Sequence, residues 1–181
     1  MELLENIEEK LDPIDGVLST KPNLRLAAVL IPVFVEKQEL LFTKRTENLR
    51  QHQGQISFPG GKFEEKDNTL TETVLRETEE EVGIHRKNIN LKGRLPPLIS
   101  TSKNYVYPFV GFIQGNPEIK INPGEVQEYF LADIDHLLNP QTLTNGLIKG
   151  EVRKYYRVQQ YKIWGLTQLI LSDFLAIIKN L

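Results

Sequence analysis

Gly60-Gly61-Lys62-Phe63-Glu64-Glu65-Lys66-Asp67-Asn68-Thr69-Leu70-Thr71-Glu72-Thr73-Val74-Leu75-Arg76-Glu77-Thr78-Glu79-Glu80-Glu81-Val82-Gly83-Ile84 is the stretch that decides the fold of this chain. Two glycines and a short acidic loop lead into a glutamate-rich helix that ends at a glycine. At about 100° per residue, Leu70, Val74, Thr78 and Val82 fall on one stripe, with Leu75 at its edge, able to pack against a sheet. Glu77, Glu80 and Glu81 form an i, i+3, i+4 cluster on the flank of that stripe, whereas Glu79 points away toward solvent. Like charges four residues apart, such as Glu77 and Glu81, repel one another by a few tenths of a kcal/mol (about 0.2–0.5) unless a cation lies among them. Clustered carboxylate oxygens suit Mg²⁺ or Mn²⁺, and Mg²⁺ also takes phosphate oxygens of a substrate as ligands.

The segment just upstream supplies the complementary charge. Leu40-Leu41-Phe42-Thr43 reads as a strand, and Lys44, Arg45 and Arg50 follow in what is expected to be a loop leading to Phe58-Pro59-Gly60-Gly61. Three cations beside an acidic metal site fit a phosphate-rich substrate, because guanidinium groups fork onto phosphate oxygens.

Arg76-Glu77-Thr78-Glu79-Glu80-Glu81-Val82-Gly83-Ile84 resembles the second half of the Nudix box, and Gly61 and Asp67 resemble its first half. Asp67 stands where the general pattern has Glu, and its distance to Arg76 is one residue longer than in that pattern. Leu41, Thr43, Arg45, Arg50, Gly54, Phe58, Pro59, Gly60 and Gly61 are similar to the upstream motif of the coenzyme A pyrophosphatase subfamily, which shares the longer spacing after Asp67. The resemblance implies an α/β/α sandwich in which a mixed sheet lies between helices. It also implies hydrolysis of coenzyme A, or of an acyl or oxidised derivative, to 3′,5′-ADP and 4′-phosphopantetheine. Glu77, Glu80 and Glu81, with a backbone carbonyl of Gly60 or Gly61, would hold the metal. Arg76 would orient the glutamates, and Lys44, Arg45 and Arg50 would face the substrate. An additional carboxylate is expected from beyond the box, and Glu125 and Glu128 are both candidates. A Nudix hydrolase for another nucleoside diphosphate derivative such as ADP-ribose, and a Nudix-fold nucleotide-binding module, are the alternatives.

The remaining chain fits one domain over residues 23–181, preceded by a helix and linker over residues 1–22. Leu3, Leu4, Ile7 and Leu11 suggest a helix over residues 3–11, ended at Asp12-Pro13. Leu26 to Val35 is a buried-strand run, with Pro32 marking an edge or bulge. Further strands are expected over residues 89–95, 106–113, 125–131 and within 152–163, with short and long helices over residues 133–138 and from Leu166 onward. Leu166, Leu169, Ile170, Phe174, Ile177 and Ile178 form a helical stripe expected to pack the core.

With 181 residues, 40 % hydrophobic and 25 % charged, the composition is that of an ordinary globular domain. A net charge of -2 argues against a nucleic-acid surface, and the absence of cysteine excludes disulfides, thiol nucleophiles and cysteine-based zinc sites. The three histidines, His52, His85 and His136, share no ligand spacing. The acidic start and short apolar runs point to a cytoplasmic protein with no membrane partner; the resemblance implies a small-molecule substrate, and a homodimer is left open.

Overall fold

The computed structural model describes residues 4, 6–15, 20–47 and 53–181. Its centre is β1 (Arg25–Phe34), whose apolar run is buried on both faces. Even-numbered Ala28, Leu30 and Phe34 join one core cluster, and odd-numbered Ile31 and Val33 join the other. A strand covered on both sides needs no polar alternation, which is why it reads as continuous hydrophobics.

β1 runs parallel to β7 (Asn104–Ile113) in a ten-residue register from Arg25 opposite Asn104 to Phe34 opposite Ile113. On its other side it pairs antiparallel with β2 (Glu39–Arg45) near its end and with β4 (Gly60–Lys62) near its middle. Pro32 falls between those two stretches, on the side where the Leu30 amide reaches the Pro59 carbonyl. Its missing N–H therefore breaks no ladder, and a proline sits in a central strand without cost. β3 (Ile56–Ser57) and β8 (Val126–Asp133) flank β2, while β5 (Ile89–Arg94) and β6 (Leu98–Ile99) pair with β7, giving an eight-stranded mixed sheet.

One face of the sheet is covered by α1 (Leu70–Val82), through Leu70, Val74 and Val82. Thr69 caps its start by accepting the Glu72 amide, and Gly83 ends it in the left-handed region at φ 71°. The other face is covered by α3 (Leu166–Lys179), α2 (Ile134–Leu138) and a three-stranded sheet of β9 (Leu143–Ile148), β10 (Glu151–Val158) and β11 (Tyr161–Trp164). The layers are those of an α/β/α sandwich. No helix among the described residues is long and apolar enough to cross a membrane.

Besides Pro32, expected at an edge or bulge and found inside the central strand, two expectations change and one strand is new. The helix expected over residues 3–11 is a 3₁₀ turn over Ile7–Lys10, with Leu4 and Ile7 in the core and Leu3 outside the described residues. It stops because Asp12 enters extended pairing with Arg94, its amide 2.9 Å from the Arg94 carbonyl. The strand β9 is added to those expected from the sequence. Leu169, expected in the core, is 48 % exposed, while Leu171 and Leu175 take its place inside.

Candidate active site

Gly60 and Gly61 of β4 set the site: the missing side chain of Gly61 leaves room for a carboxylate, and that of Gly60 lets β4 lie close against β1. A Cβ on Gly61 would lie 2.4 Å from the Glu77 carboxylate, and one on Gly60 would lie 2.3 Å from the Ala28 carbonyl oxygen. Through that gap α1 sends Glu77 and Glu81. From the loop ahead of β8 comes Glu125, and the three place carboxylate oxygens within 4.8 Å of one another. Among the described residues this is where acidic groups gather closely enough to hold a metal ion.

Glu81 is 1 % exposed. Its Oε2 accepts the Gly60 amide at 3.1 Å, and its Oε1 lies 3.3 Å from Nη1 of Arg45. Burial pushes its carboxyl up to about 8; Arg45 and the Gly60 amide oppose the rise, and Glu77 and Glu125 add repulsion to it. Burial likewise raises Glu77, against the pull of Arg76. Such crowding of negative charge, without enough cationic side chains to offset it, is what a bound divalent cation would relieve.

Arg76 organises the other side of the cluster. Its Nη1 donates to Glu77 at 2.9 Å and to Glu80 at 3.0 Å, and its Nη2 reaches the Lys62 carbonyl at 3.3 Å. Its Nε and Nη2 fork onto Asp67, which also accepts from the Thr73 hydroxyl at 2.9 Å and the Glu64 amide at 3.1 Å. Those bonds, led by Arg76, hold Asp67 well below the usual carboxylate range. Glu80, with 46 % of its side chain exposed, sits at the rim between Arg76 and Lys66. Glu79 is turned away and pairs with Arg86 at 2.7 Å.

Lys44 and Arg45, expected in a loop, are the last residues of β2, and strand alternation separates them. Arg45 lines a cavity of about 920 Å³ together with Glu77, Glu81 and Glu125. Lys44 instead faces its cross-strand neighbour Glu128 at 3.0 Å, and that bond lowers the Glu128 carboxyl. Of the two acidic candidates beyond the box, Glu125 therefore joins the cluster and Glu128 does not. Arg50 and His52 lie outside the described residues. The cavity extends past Ala27 and Val29 to the Ser100–Asn104 loop and to Trp164, Leu166 and Leu169. Leu166, Leu169 and Ile170, expected from their helical spacing to pack the core, line this far wall; Trp164 and the Ser100–Asn104 loop were not assigned to a site from the sequence.

A NUDIX domain model matches residues 24–152. The chain is 37 % identical over 156 residues to the uncharacterized Nudix hydrolase NudL of Photorhabdus laumondii, covering 83 % of both chains. It is 39 % identical over 157 residues to NudL of Pectobacterium atrosepticum, covering 82 % of this chain and 80 % of that protein. Among solved structures, the MutT protein of Methanosarcina mazei Go1 superposes with a TM-score of 0.57 at 19 % identity, over 90 % of this chain and 95 % of its own. The NUDIX hydrolase of Nitrosomonas europaea gives a TM-score of 0.59 at 14 % identity, over 92 % and 76 %. Sequence match, sheet topology and the glutamates of α1 agree: the chain belongs to the Nudix family and is a Nudix hydrolase.

Proposed function

We propose that the enzyme hydrolyses the pyrophosphate link of coenzyme A, or of an acyl or oxidised derivative, in the presence of Mg²⁺ or Mn²⁺. The products are 3′,5′-ADP and 4′-phosphopantetheine or its derivative. The observation that carries this reading is that Arg45, from the upstream motif, lies beside Glu81 in the same cavity wall as Glu77 and Glu125.

Glu77, Glu81 and Glu125 are the proposed ligands; a carbonyl of Gly60 or Gly61 adds an oxygen, and Glu80 adds a further carboxylate at the rim. All are hard oxygen donors, the class that Mg²⁺ and Mn²⁺ prefer. A divalent ion bound there supplies Lewis acidity toward phosphate oxygens and lowers the pKa of water. Arg45 offsets negative charge developing on the phosphate groups, and Arg50 is proposed to do the same from its neighbouring segment. Arg76, anchored by Asp67, keeps Glu77 and Glu80 in place. A cluster carboxylate left free takes the proton from the attacking water as the new P–O bond forms and the bridging P–O bond breaks.

Incubation with coenzyme A and with ADP-ribose, each with Mg²⁺, Mn²⁺ or EDTA, tests the reading by separation of products. Metal-dependent release of 3′,5′-ADP, with ADP-ribose intact, is the expected result. Cleavage of ADP-ribose alone would move the substrate to another nucleoside diphosphate derivative.

A further inference from the structure

The three-stranded sheet ends in a strand with a free side. β9 pairs with β10 alone, and among the described residues no other strand meets its outer edge. Lys149 and Gly150 make the turn to β10 at φ 51° and 82°, the left-handed pair of a two-residue hairpin. Such a turn makes Ile148 and Glu151 a hydrogen-bonded pair, so alternation directs the amides and carbonyls of Asn145 and Leu147 away from β10. Soluble proteins usually blunt an edge of this kind with charge, proline or a bulge. Leu143-Thr144-Asn145-Gly146-Leu147-Ile148 has no charge and no proline, and its register with β10 is unbroken.

The face beside that edge is apolar. Leu147 and Val152 are cross-strand partners, 68 % and 74 % exposed. By strand alternation they share the face of Tyr156 and Val158, both of which are buried in the core. The core-forming surface of the small sheet thus runs on past the body of the domain into water. Arg153 lies on the opposite face and lines the cavity, so a partner resting on Leu147 and Val152 leaves the cavity open.

The occupant that fits is a second copy of the chain. A free strand edge is complementary to its own antiparallel copy, since each offers donors and acceptors at the same spacing, and a twofold axis closes the contact after two copies. The charges agree with that arrangement. Antiparallel pairing brings the hairpin turn of one copy, with exposed Lys149, to the foot of β9 in the other. At that foot lies α2: the His136 ring is 3.4 Å from the carbonyl of Arg157, the residue just past the last pairing of β10 with β9. Exposed Asp135 stands next to it.

We infer that two copies of this chain associate through antiparallel pairing of their β9 strands, with Gly146 at the twofold axis. Asn145 of one copy then lies opposite Leu147 of the other, and the two small sheets become one of six strands. Leu147 and Val152 of both copies meet on one face of it.

Sedimentation velocity of the full chain from about 1 to about 100 µM tests the association. The expected result is a species of twice 20.8 kDa that dominates at the upper end. Leu147→Lys and Val152→Lys should each raise the dissociation constant by about tenfold or more; both positions are exposed, and circular dichroism verifies that the variants are folded. The chain has no cysteine, so introduced thiols report contacts between copies. An equilibrated mixture of Asn145→Cys and Leu147→Cys should form a disulfide-linked pair on mild oxidation, faster than either variant alone. A monomer at every concentration overturns the proposal, as does a dimer that survives both lysine substitutions. A mixture that cross-links no faster than the single variants overturns it too, because the strands then do not meet in this register. None of these readouts depends on which substrate is cleaved.

Discussion

Asp67 grips Arg76 at two points, Oδ1 to Nε and Oδ2 to Nη2, both at 2.9 Å, with the side chains 3 % and 12 % exposed. The fork leaves Nη1 of the same guanidinium for Glu77 and Glu80, so one acid outside the cluster sets the position of two acids at its edge.

Asp67→Asn is expected to lower stability by about 3 kcal/mol near neutral pH, the order found when one partner of a buried pair is removed. The sign with pH follows from the depressed carboxyl. Its contribution is present above the ordinary Asp value of 3.8 and is lost as the pH falls below it. Denaturation of wild type and variant should therefore converge as the pH drops from about 4 toward 2. At neutral pH the variant's kcat should fall by about tenfold through the loosened Arg76, with Asp67→Glu recovering part of it.

Adjacent glycines are expected to fail in opposite ways. Gly60 has φ +148°, and a Cβ would strike the Ala28 backbone, so Gly60→Ala should cost about 2 kcal/mol or more in stability. Gly61 carries no such strain, and its added Cβ would meet only the end of the flexible Glu77 side chain. Gly61→Ala should melt within a few degrees of wild type yet lose about 10² in kcat, because Glu77 is displaced by an ångström or more. Thermal melts and rates on the same two preparations decide it.

Glu125→Gln should reduce the rate by about 10², while Glu128→Gln and Lys44→Ala should stay within about twofold. The Lys44–Glu128 pair is partly exposed, at 25 % and 41 %, and such pairs contribute at most about 1 kcal/mol. Equal losses at Glu125 and Glu128 would contradict the separation of the two acids by β8.

Glu81→Gln preserves shape and the bond to the Gly60 amide but removes a proposed ligand. The expected loss is about 10²–10⁴ in kcat. The rise in melting temperature on adding Mg²⁺, which grows with ligand concentration over Kd, should also shrink. A rate near that of wild type would remove Glu81 from the mechanism.

The sequence carried the site unevenly. The box helix was legible because its stripe, glutamate flank and stopping glycine are local, and all three appear in α1. The doubly buried β1 was legible from its unbroken apolar run. The choice between Glu125 and Glu128 was not, since it depends on where β8 meets β2, with a register shift between Lys44 and Arg45. Nor was the separation of Lys44 from Arg45, which needs the end of β2 to be known to the residue. Leu169 shares the helical period of its core neighbours, and only the cleft beside it distinguishes it from them. Asp67 looked like a mild departure from a pattern; its buried fork with Arg76 becomes visible only when the loop is closed.

The parallel pairing of β1 with β7 bears on how the molecule is made. The strand at the centre of the sheet finds that partner only after the chain from Arg25 to Asn104 has been synthesised, and Glu125 follows later still. Contacts so distant in sequence slow folding, because loop closure must come before they reward it. On the ribosome, α1 can form early, but its carboxylates stay without their third companion until the β8 segment has emerged. With Glu125 as a proposed ligand, the acidic cluster is completed late in synthesis, and a nascent chain stalled before Glu125 is expected to be inactive.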